Sequence, residues 1–306
     1  MRETTGKVAF ITGGASGIGL GMARAFVRAG MRVVIADMRA EALDRAAQAL
    51  GSDPARVHTL QLDVTDRAAL AAAADESERV FGRVHVLCAN AGLGDIGYLK
   101  DTSYDDWDWI MGVTFGGVVN AVKTFLPRMQ AHGERGHIVA TSSMGGIAPI
   151  NHGGVYCVAK FAVVGMMEAL RMELTGSKIG VSVLCPGMTR TNIRGTLSLR
   201  PERYRNTGYS YRALPPPPPG APDPMQLAMD PDEVGEKVVR GIRRNDLYIL
   251  THSEFAEIIR EQFEPILKAM PALPPAARAA GAGMPSMPTP YKTALGSDPA
   301  DESRGS

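Results

Sequence analysis

The run Thr12-Gly13-Gly14-Ala15-Ser16-Gly17-Ile18-Gly19 follows directly on an apolar segment, Val8–Ile11, and opens a helix-like stretch, Ile18–Ala29. No other feature constrains the chain as tightly. A strand that turns through glycines into a helix leaves backbone N–H groups free at the helix N-terminus, where a pyrophosphate can approach. Glycines 13, 17 and 19 follow the spacing G-x3-G-x-G rather than the commoner G-x-G-x-x-G. A glycine-rich turn alone says little. Its place after a first strand and at the head of an amphipathic helix carries the reading.

The same alternation continues down the chain. Short β-branched runs lie at Arg32–Ala36, Val57–Leu62, Val84–Cys88, His137–Thr141, Val181–Cys185 and Leu247–Leu250. Between them come helical patterns such as Ala40–Leu50, Ala68–Phe81, with Thr65 or Asp66 as its cap, and Ala159–Leu174. Several runs are almost wholly apolar, as strands covered by helices on both faces are. The pattern predicts an α/β fold with a doubly wound, mostly parallel seven-stranded sheet. One domain over residues 1–270 is expected, with a lid insertion at 188–230 that holds the proline run Pro215–Pro219. Residues 271–306 contain seven prolines and four glycines, about 31% of the segment, and read as a disordered tail.

Charge and cysteine content remove whole classes of function. With 33 basic and 32 acidic residues the net charge is +1, so binding to nucleic acid by phosphate neutralisation is not expected. Three separated cysteines, Cys88, Cys157 and Cys185, form neither a disulfide framework nor a metal knuckle, and no metal site is expected. The first residues lack the apolar core of a secretory signal, and no uninterrupted apolar run reaches the ~18 residues of a spanning helix. A cytoplasmic enzyme without membrane contact is the expectation.

Two constellations carry chemistry. Asp37 ends the second strand, where a carboxylate accepts hydrogen bonds from an adenosine ribose and repels a 2′-phosphate. Ser16 leaves the glycine loop without a basic side chain, so NAD is expected over NADP, with Arg39 as the residue that weakens the distinction. Tyr156 and Lys160 are four apart and share one face of a helix. An ammonium beside a phenol lowers the phenol pKa and fits it for acid/base work near neutrality. Ser143 stands just beyond the strand His137–Thr141, at the mouth of the sheet.

With these residues in order, the sequence resembles the short-chain dehydrogenase/reductase family over roughly residues 5 to 255. The matching motifs are Thr12–Gly19, Asp63-Val64, Asn90-Ala91-Gly92, Ser143, Tyr156 with Lys160, and Pro186-Gly187. The resemblance implies a Rossmann-type fold and a secondary-alcohol dehydrogenase. It makes Tyr156 the catalytic acid/base, has Lys160 hold the nicotinamide ribose, and has Ser143 bind the substrate oxygen together with Tyr156. It assigns the cofactor to Gly13, Ser16, Gly17, Ile18 and Gly19, to Asp37, to Asp63 and Val64 at the adenine, and to Asn90, Ala91 and Gly92. Pro186, Gly187, Thr189, Tyr156 and Lys160 complete the set. Self-association into a homodimer or homotetramer through helices near Asp108–Gln130 and Ala159–Leu174 is also implied. One departure stands out: where the family has Asn, this chain has Thr114 in Gly112-Val113-Thr114-Phe115-Gly116, which shortens the reach of a proton relay.

A narrower resemblance, on Thr102–Trp109, Leu199–Tyr204 and the long lid, is to bacterial Cα-dehydrogenases, which oxidise the benzylic alcohol of lignin-derived β-aryl ethers with NAD. Steroid alcohols and 3-hydroxyacyl-coenzyme A esters are the alternative substrates, and a non-catalytic dinucleotide sensor or scaffold is the alternative role. Six lid arginines (190, 194, 200, 203, 205 and 212) against Glu202 give a local charge of +5, suited to an anionic substrate or to a solvated lid. Tyr98, Met144, Met188, Tyr204, Tyr209 and Tyr211 are candidate pocket walls. Cys157 reads as a small buried hydrophobe.

Overall fold

The computed structural model describes residues 1–94, 97–204 and 228–272. The expected tail beyond residue 272 and the lid residues 205–227, with Tyr209, Tyr211, Arg205, Arg212 and the proline run, lie outside the described residues. The strands are β1 (Val8–Thr12), β2 (Arg32–Asp37), β3 (Val57–Gln61), β4 (Val86–Ala89), β5 (Gly136–Thr141), β6 (Ile179–Cys185) and β7 (Tyr248–Leu250). The helices are α1 (Gly17–Arg28), α2 (Ala40–Ala49), α3 (Arg67–Phe81), α4 (Tyr104–Met111), α5 (Gly117–His132), α6 (Gly154–Glu173), α7 (Pro231–Arg244) and α8 (Ala256–Lys268). All seven strands are parallel in the order β3-β2-β1-β4-β5-β6-β7. The order reverses between β1 and β4, and a cleft opens beyond the carboxyl ends of the strands at such a point.

Two apolar layers hold the sheet. Leu70 of α3, Phe125 of α5 and Met167 of α6 pack with Phe10 and Leu87 on one face. Met22 and Phe26 of α1, Leu43 of α2 and Val238 of α7 pack with Ile11 and Ile35 on the other. This double cover explains why the strand segments are so uniformly apolar. Helices α1 and α7 touch backbone to backbone: a Cβ at Gly21 would lie 2.1 Å from the Pro231 carbonyl oxygen, and one at Gly235 would lie 2.3 Å from that of Gly21. Asp66 caps α3 by accepting from the Ala69 N–H, as its sequence position predicts.

Helices α4 and α5 join through a π turn at Gly112–Gly116, giving one helical stretch from Tyr104 to His132. By length and composition that stretch could cross a membrane. Part of its apolar surface belongs to the core, where Val118, Val122 and Phe125 are buried. Helix α6 begins at Gly154, ahead of the expected Ala159. The burial of Val155 and Cys157 outweighs the poor helix propensity of the glycines before them.

Two buried imidazoles give the fold an acid limit. His137 on β5 hydrogen-bonds Ser182 Oγ at 2.7 Å and is held well below its ordinary pKa of 6.5, by burial first and then by nearby positive charge. His85 accepts from the Val8 N–H and faces Glu134, and burial lowers its pKa as well. Unfolded imidazoles take up protons near 6.5 and these folded ones do not. The unfolded state therefore binds more protons below that pH, and stability falls as the solution is acidified. Glu134 adds to this only below its ordinary value of 4.5, since Lys7, Arg83 and His85 hold its carboxyl far below the usual carboxylate range. We expect Tm to fall progressively from pH 7 to pH 5 in thermal unfolding. A flat profile over that range would show that these histidines titrate alike in both states.

Candidate active site

The glycine loop is shaped by close contacts. Gly13 and Gly17 have φ of +63° and +51°, a region that favours glycine. A Cβ at Gly13 would lie 2.9 Å from Ala91 Cα, and one at Gly17 would lie 2.9 Å from Thr191 Cγ2. Gly19 differs from the rest of the loop. It is buried under the turn, where a Cβ would lie 2.1 Å from the Gly13 carbonyl oxygen, so it supports the cleft floor and does not line it. Ser16 is the N-cap of α1, but its side chain makes no capping hydrogen bond and no acid stands in the first turn. The helix N-terminus thus keeps its donors and its positive end for an outside anion, whereas Asp66 and Asp230 close α3 and α7. The donor set and the Cβ-free cradle fit the pyrophosphate of a dinucleotide.

Behind the loop, three strand ends are tied together. Thr12 Oγ1 accepts from the N–H groups of Asn90 (2.9 Å) and Ala91 (3.1 Å). Asn90 Nδ2 donates to the Thr12 carbonyl at 3.1 Å, and Thr141 Oγ1 donates to Asn90 Oδ1 at 3.0 Å. The Asn-Ala-Gly run therefore joins β1, β4 and β5 where the cleft opens.

Asp37 ends β2 and is buried, at 6% exposure, with its carboxylate engaged by Arg39. Arg39 Nε donates to Oδ1 at 2.9 Å and Nη2 donates to Oδ2 at 3.0 Å, while Nη2 also reaches Ser16 Oγ at 2.9 Å. Arg39 thus bridges Asp37 and the glycine loop. Asp63 and Val64 line the same end of the cleft, Asp63 in a turn closed by Thr65.

Ser143, Tyr156 and Lys160 meet at the other end. Ser143 follows β5 and accepts from the Gly145 N–H at 3.0 Å, which orients its hydroxyl close enough to the Tyr156 phenol to favour its ionised form. Lys160 is buried and donates from Nζ to the Thr141 carbonyl at 2.9 Å. Its ammonium lies 5.7 Å from the centre of the Tyr156 ring. One expectation is overturned here. The Tyr156 pKa is not lowered: burial pushes it up to about 12, against the opposing effect of the nearby Ser143 hydroxyl. Helical spacing puts Lys160 on the right face, but the ammonium is spent on the strand-end carbonyl, and burial brings Lys160 itself down to about 8. Thr114 is buried in the π turn and accepts from the Leu93 N–H at 3.2 Å, so its hydroxyl anchors the segment after Gly92.

Gly13, Ser16, Gly17, Asp37, Asp63, Val64, Asn90, Ser143, Tyr156 and Lys160 line one cleft of about 500 Å³, within the usual range for a ligand pocket, whereas Thr12, Gly19 and Thr114 do not. Ile18, Ala91, Gly92, Pro186, Gly187 and Thr189 line it as the sequence suggests. Gly187 is fixed by donating to Thr251 Oγ1 at 3.1 Å and His252 Nδ1 at 3.2 Å. Met144 and Met188 form walls, but Tyr98 does not, because it stacks on His152 at 4.1 Å. Aromatic walls come from Trp109, the last residue of the Thr102–Trp109 run, and from Phe255, which no motif or spacing in the sequence marks. The basic lid also needs correction. Arg190 pairs with Asp230 and Arg200 with Asp106, so two of the six arginines serve structure, while Arg203 lines the cleft. Where the lid leaves and returns, its strands are stapled: Arg190 N donates to the Met229 carbonyl at 3.0 Å, Met229 N to that of Met188 at 2.9 Å, and Arg190 Nη1 to that of Ala228 at 2.7 Å. Among the described residues no His, Cys, Asp and Glu cluster could hold a metal, and the three cysteines are buried and free.

Comparison with known proteins gives this cleft its context. The profile of a family described as short chain dehydrogenase matches residues 7–201. A C alpha-dehydrogenase of Sphingobium sp. (strain NBRC 103272 / SYK-6) is 40% identical, over 87% of this chain and 87% of that protein. Among solved structures, a short chain dehydrogenase/reductase from Burkholderia phymatum in complex with NAD is 35% identical, with a TM-score of 0.79 over 90% of this chain and 99% of that one. The apo form of LigD from Sphingobium sp. strain SYK-6 is 37% identical, with a TM-score of 0.72 over 88% of this chain and 99% of that one.

Proposed function

The chain belongs to the short-chain dehydrogenase family and is an oxidoreductase, and from that premise we propose that it interconverts a bulky secondary alcohol and its ketone with NAD. The first substrate class is the benzylic carbinol of aryl-ether compounds. One observation carries the reading: Ser143 and Tyr156 share a cleft of about 500 Å³ with the glycine loop and Asp37. The 40% identity to a C alpha-dehydrogenase and the aromatic walls Trp109 and Phe255 support the substrate class.

Bound NAD would supply the ring that accepts hydride from the carbinol carbon. Gly13, Gly17 and the α1 N-terminus would hold its pyrophosphate, and Asp37 its adenosine ribose. Ser143 holds the substrate oxygen and Tyr156 removes its proton. The Thr141 carbonyl aims Lys160 at the space beside Gly92, where a Cβ would lie 3.3 Å from Nζ, and from there Lys160 would hold the nicotinamide ribose of a bound NAD. Exposed Val158, Phe161 and Met172 on α6 supply an apolar face suited to a second copy of the chain.

The test is NADH formation from aryl-ether carbinols, steroid alcohols and hydroxyacyl thioesters. A preference for aryl carbinols is expected, and a clear preference for small aliphatic alcohols overturns the bulky substrate. Tight NAD binding with no hydride transfer to any of them would instead favour the sensor role.

A second measurement checks the cofactor. NAD should bind more tightly than NADP, by a modest factor because Arg39 offsets part of the Asp37 charge. Asp37→Ala should narrow the ratio further by removing the ribose acceptor and leaving Arg39 free for a 2′-phosphate. Wild-type enzyme that used NADPH better than NADH would refute the assignment of Asp37.

A further inference from the structure

We propose that Arg200 and Asp106 form a positioning pair that fixes the substrate wall of the cleft, independently of any contact with substrate. The inference rests on the dehydrogenase reading above. Arg200 Nη1 donates to Asp106 Oδ1 at 2.6 Å, with side chains 8% and 0% exposed. The other carboxylate oxygen, Oδ2, accepts from the backbone N–H of Ser103 at 2.8 Å and from its hydroxyl at 3.0 Å, closing the capping box that starts α4. One buried carboxylate therefore both begins a helix and holds the lid. The guanidinium is used on its other sides too. Nε donates to the Tyr204 carbonyl at 2.7 Å, and the group lies 5.2 Å from the centre of the Trp109 ring.

Neither member of the pair lines the cleft, but their neighbours do. Leu199, Pro201 and Arg203 flank Arg200 on the lid, and Trp109 lies one turn along α4 from Asp106. The pair thus stands behind the wall and sets its place. It rests on a small apolar cluster of Leu93, Trp109, Ile110 and Val155, with Tyr204 packed against it, separate from the two layers around the sheet. Val155 precedes Tyr156, and Leu93 donates to Thr114. The wall that receives the substrate body and the group that takes its proton are therefore built on one cluster, and their separation is fixed by the ion pair. A buried pair is poor evidence of net stabilisation, since apolar replacements often match it, but it is well suited to holding one arrangement against others.

The test compares Arg200→Lys, Arg200→Met and the double variant Arg200→Met with Asp106→Asn, the last leaving no uncompensated buried charge if Arg200→Met alone fails to fold. For a bulky carbinol, KM should rise by at least roughly tenfold in both Met variants, as expected when positioning is lost. Small secondary alcohols should show little change, and NAD affinity should stay within about twofold, since the pair touches no part of the glycine loop. Arg200→Lys should recover part of the loss. Amide hydrogen exchange over residues 193–204 should quicken while exchange in β1 and α1 does not. A lowered Tm with unchanged exchange in 193–204 and an unchanged KM ratio between bulky and small alcohols would overturn the proposal and leave a purely structural pair. If the wild type oxidises no bulky carbinol, the functional reading fails instead, and exchange over 193–204 still decides the role of the pair.

Discussion

Tyr156→Phe is expected to lower kcat by at least about 100-fold, the scale on which acid/base catalysis is lost, with NAD affinity nearly unchanged. The variant keeps the ring and its packing. It removes only the hydroxyl that meets Ser143 in the cleft. Lys160→Ala should reduce turnover and NAD affinity together, because its ammonium is aimed by the Thr141 carbonyl at the space beside Gly92. The pH dependence follows from the raised phenol, held at about 12 by burial. Oxidation needs the phenol unprotonated, so kcat for the alcohol should climb through the alkaline range. Reduction needs it protonated and should hold until the phenol ionises. Initial rates in both directions between pH 6 and pH 11 check this, and near-normal turnover in Tyr156→Phe would falsify the assignment.

Gly19→Ala is expected to be the most damaging conservative change outside the acid/base group. The added carbon would lie 2.1 Å from the Gly13 carbonyl oxygen and 2.8 Å from Asn90 Nδ2. The first of these is backbone, so the whole turn must shift. Overpacking of this kind costs about 1–3 kcal/mol. Delivered to the loop that would hold the pyrophosphate, it should weaken NAD binding by roughly 10- to 100-fold, at about 1.4 kcal/mol per tenfold. Gly165→Ala is the control, because nothing lies within 4 Å of its added carbon in α6. Titration calorimetry with NAD on both variants tests this. Equal affinities would mean that the turn absorbs the methyl group without moving the N–H groups.

Local pattern made the sheet legible. Short β-branched runs, several of them almost wholly apolar, marked all seven strands. The largest displacements are in β4, found from Val86 and not Val84 because ladder pairing begins at Ala9 with Val86, and in β6, found from Ile179 and not Val181 because pairing begins at Gly136 with Ile179. The glycine loop, Asp37 and the Ser143, Tyr156 and Lys160 group were legible for the same reason, since each depends on residues close in sequence or on a strand end. Contacts across long separations were not. Nothing in the spacing shows that Arg200 meets Asp106, 94 positions away, and charge counting alone places that arginine among the substrate-attracting ones. Nor does the four-residue step from Tyr156 to Lys160 reveal that the ammonium turns to Thr141. Trp109 lay in a run the sequence did mark, without showing that its ring faces the cleft, and Phe255 reaches the cleft through tertiary packing that leaves no mark on the local sequence.

The stapled base of the lid bears on how such an enzyme diversifies. Met188 to Arg190 and Ala228 to Asp230 are joined by their own hydrogen bonds and an ion pair, and α7 leaves this junction pressed against α1 at Gly21 and Gly235. The sheet therefore meets the lid at fixed points of exit and return. Each doubling of a loop's length costs only about 0.6 kcal/mol in closure entropy. Because the junction closes on its own contacts, a change of chain length between these fixed points would carry little entropic penalty and would leave the packing of α1 on α7 in place. Lineages built on this plan can change what they accept without having to solve the folding problem again.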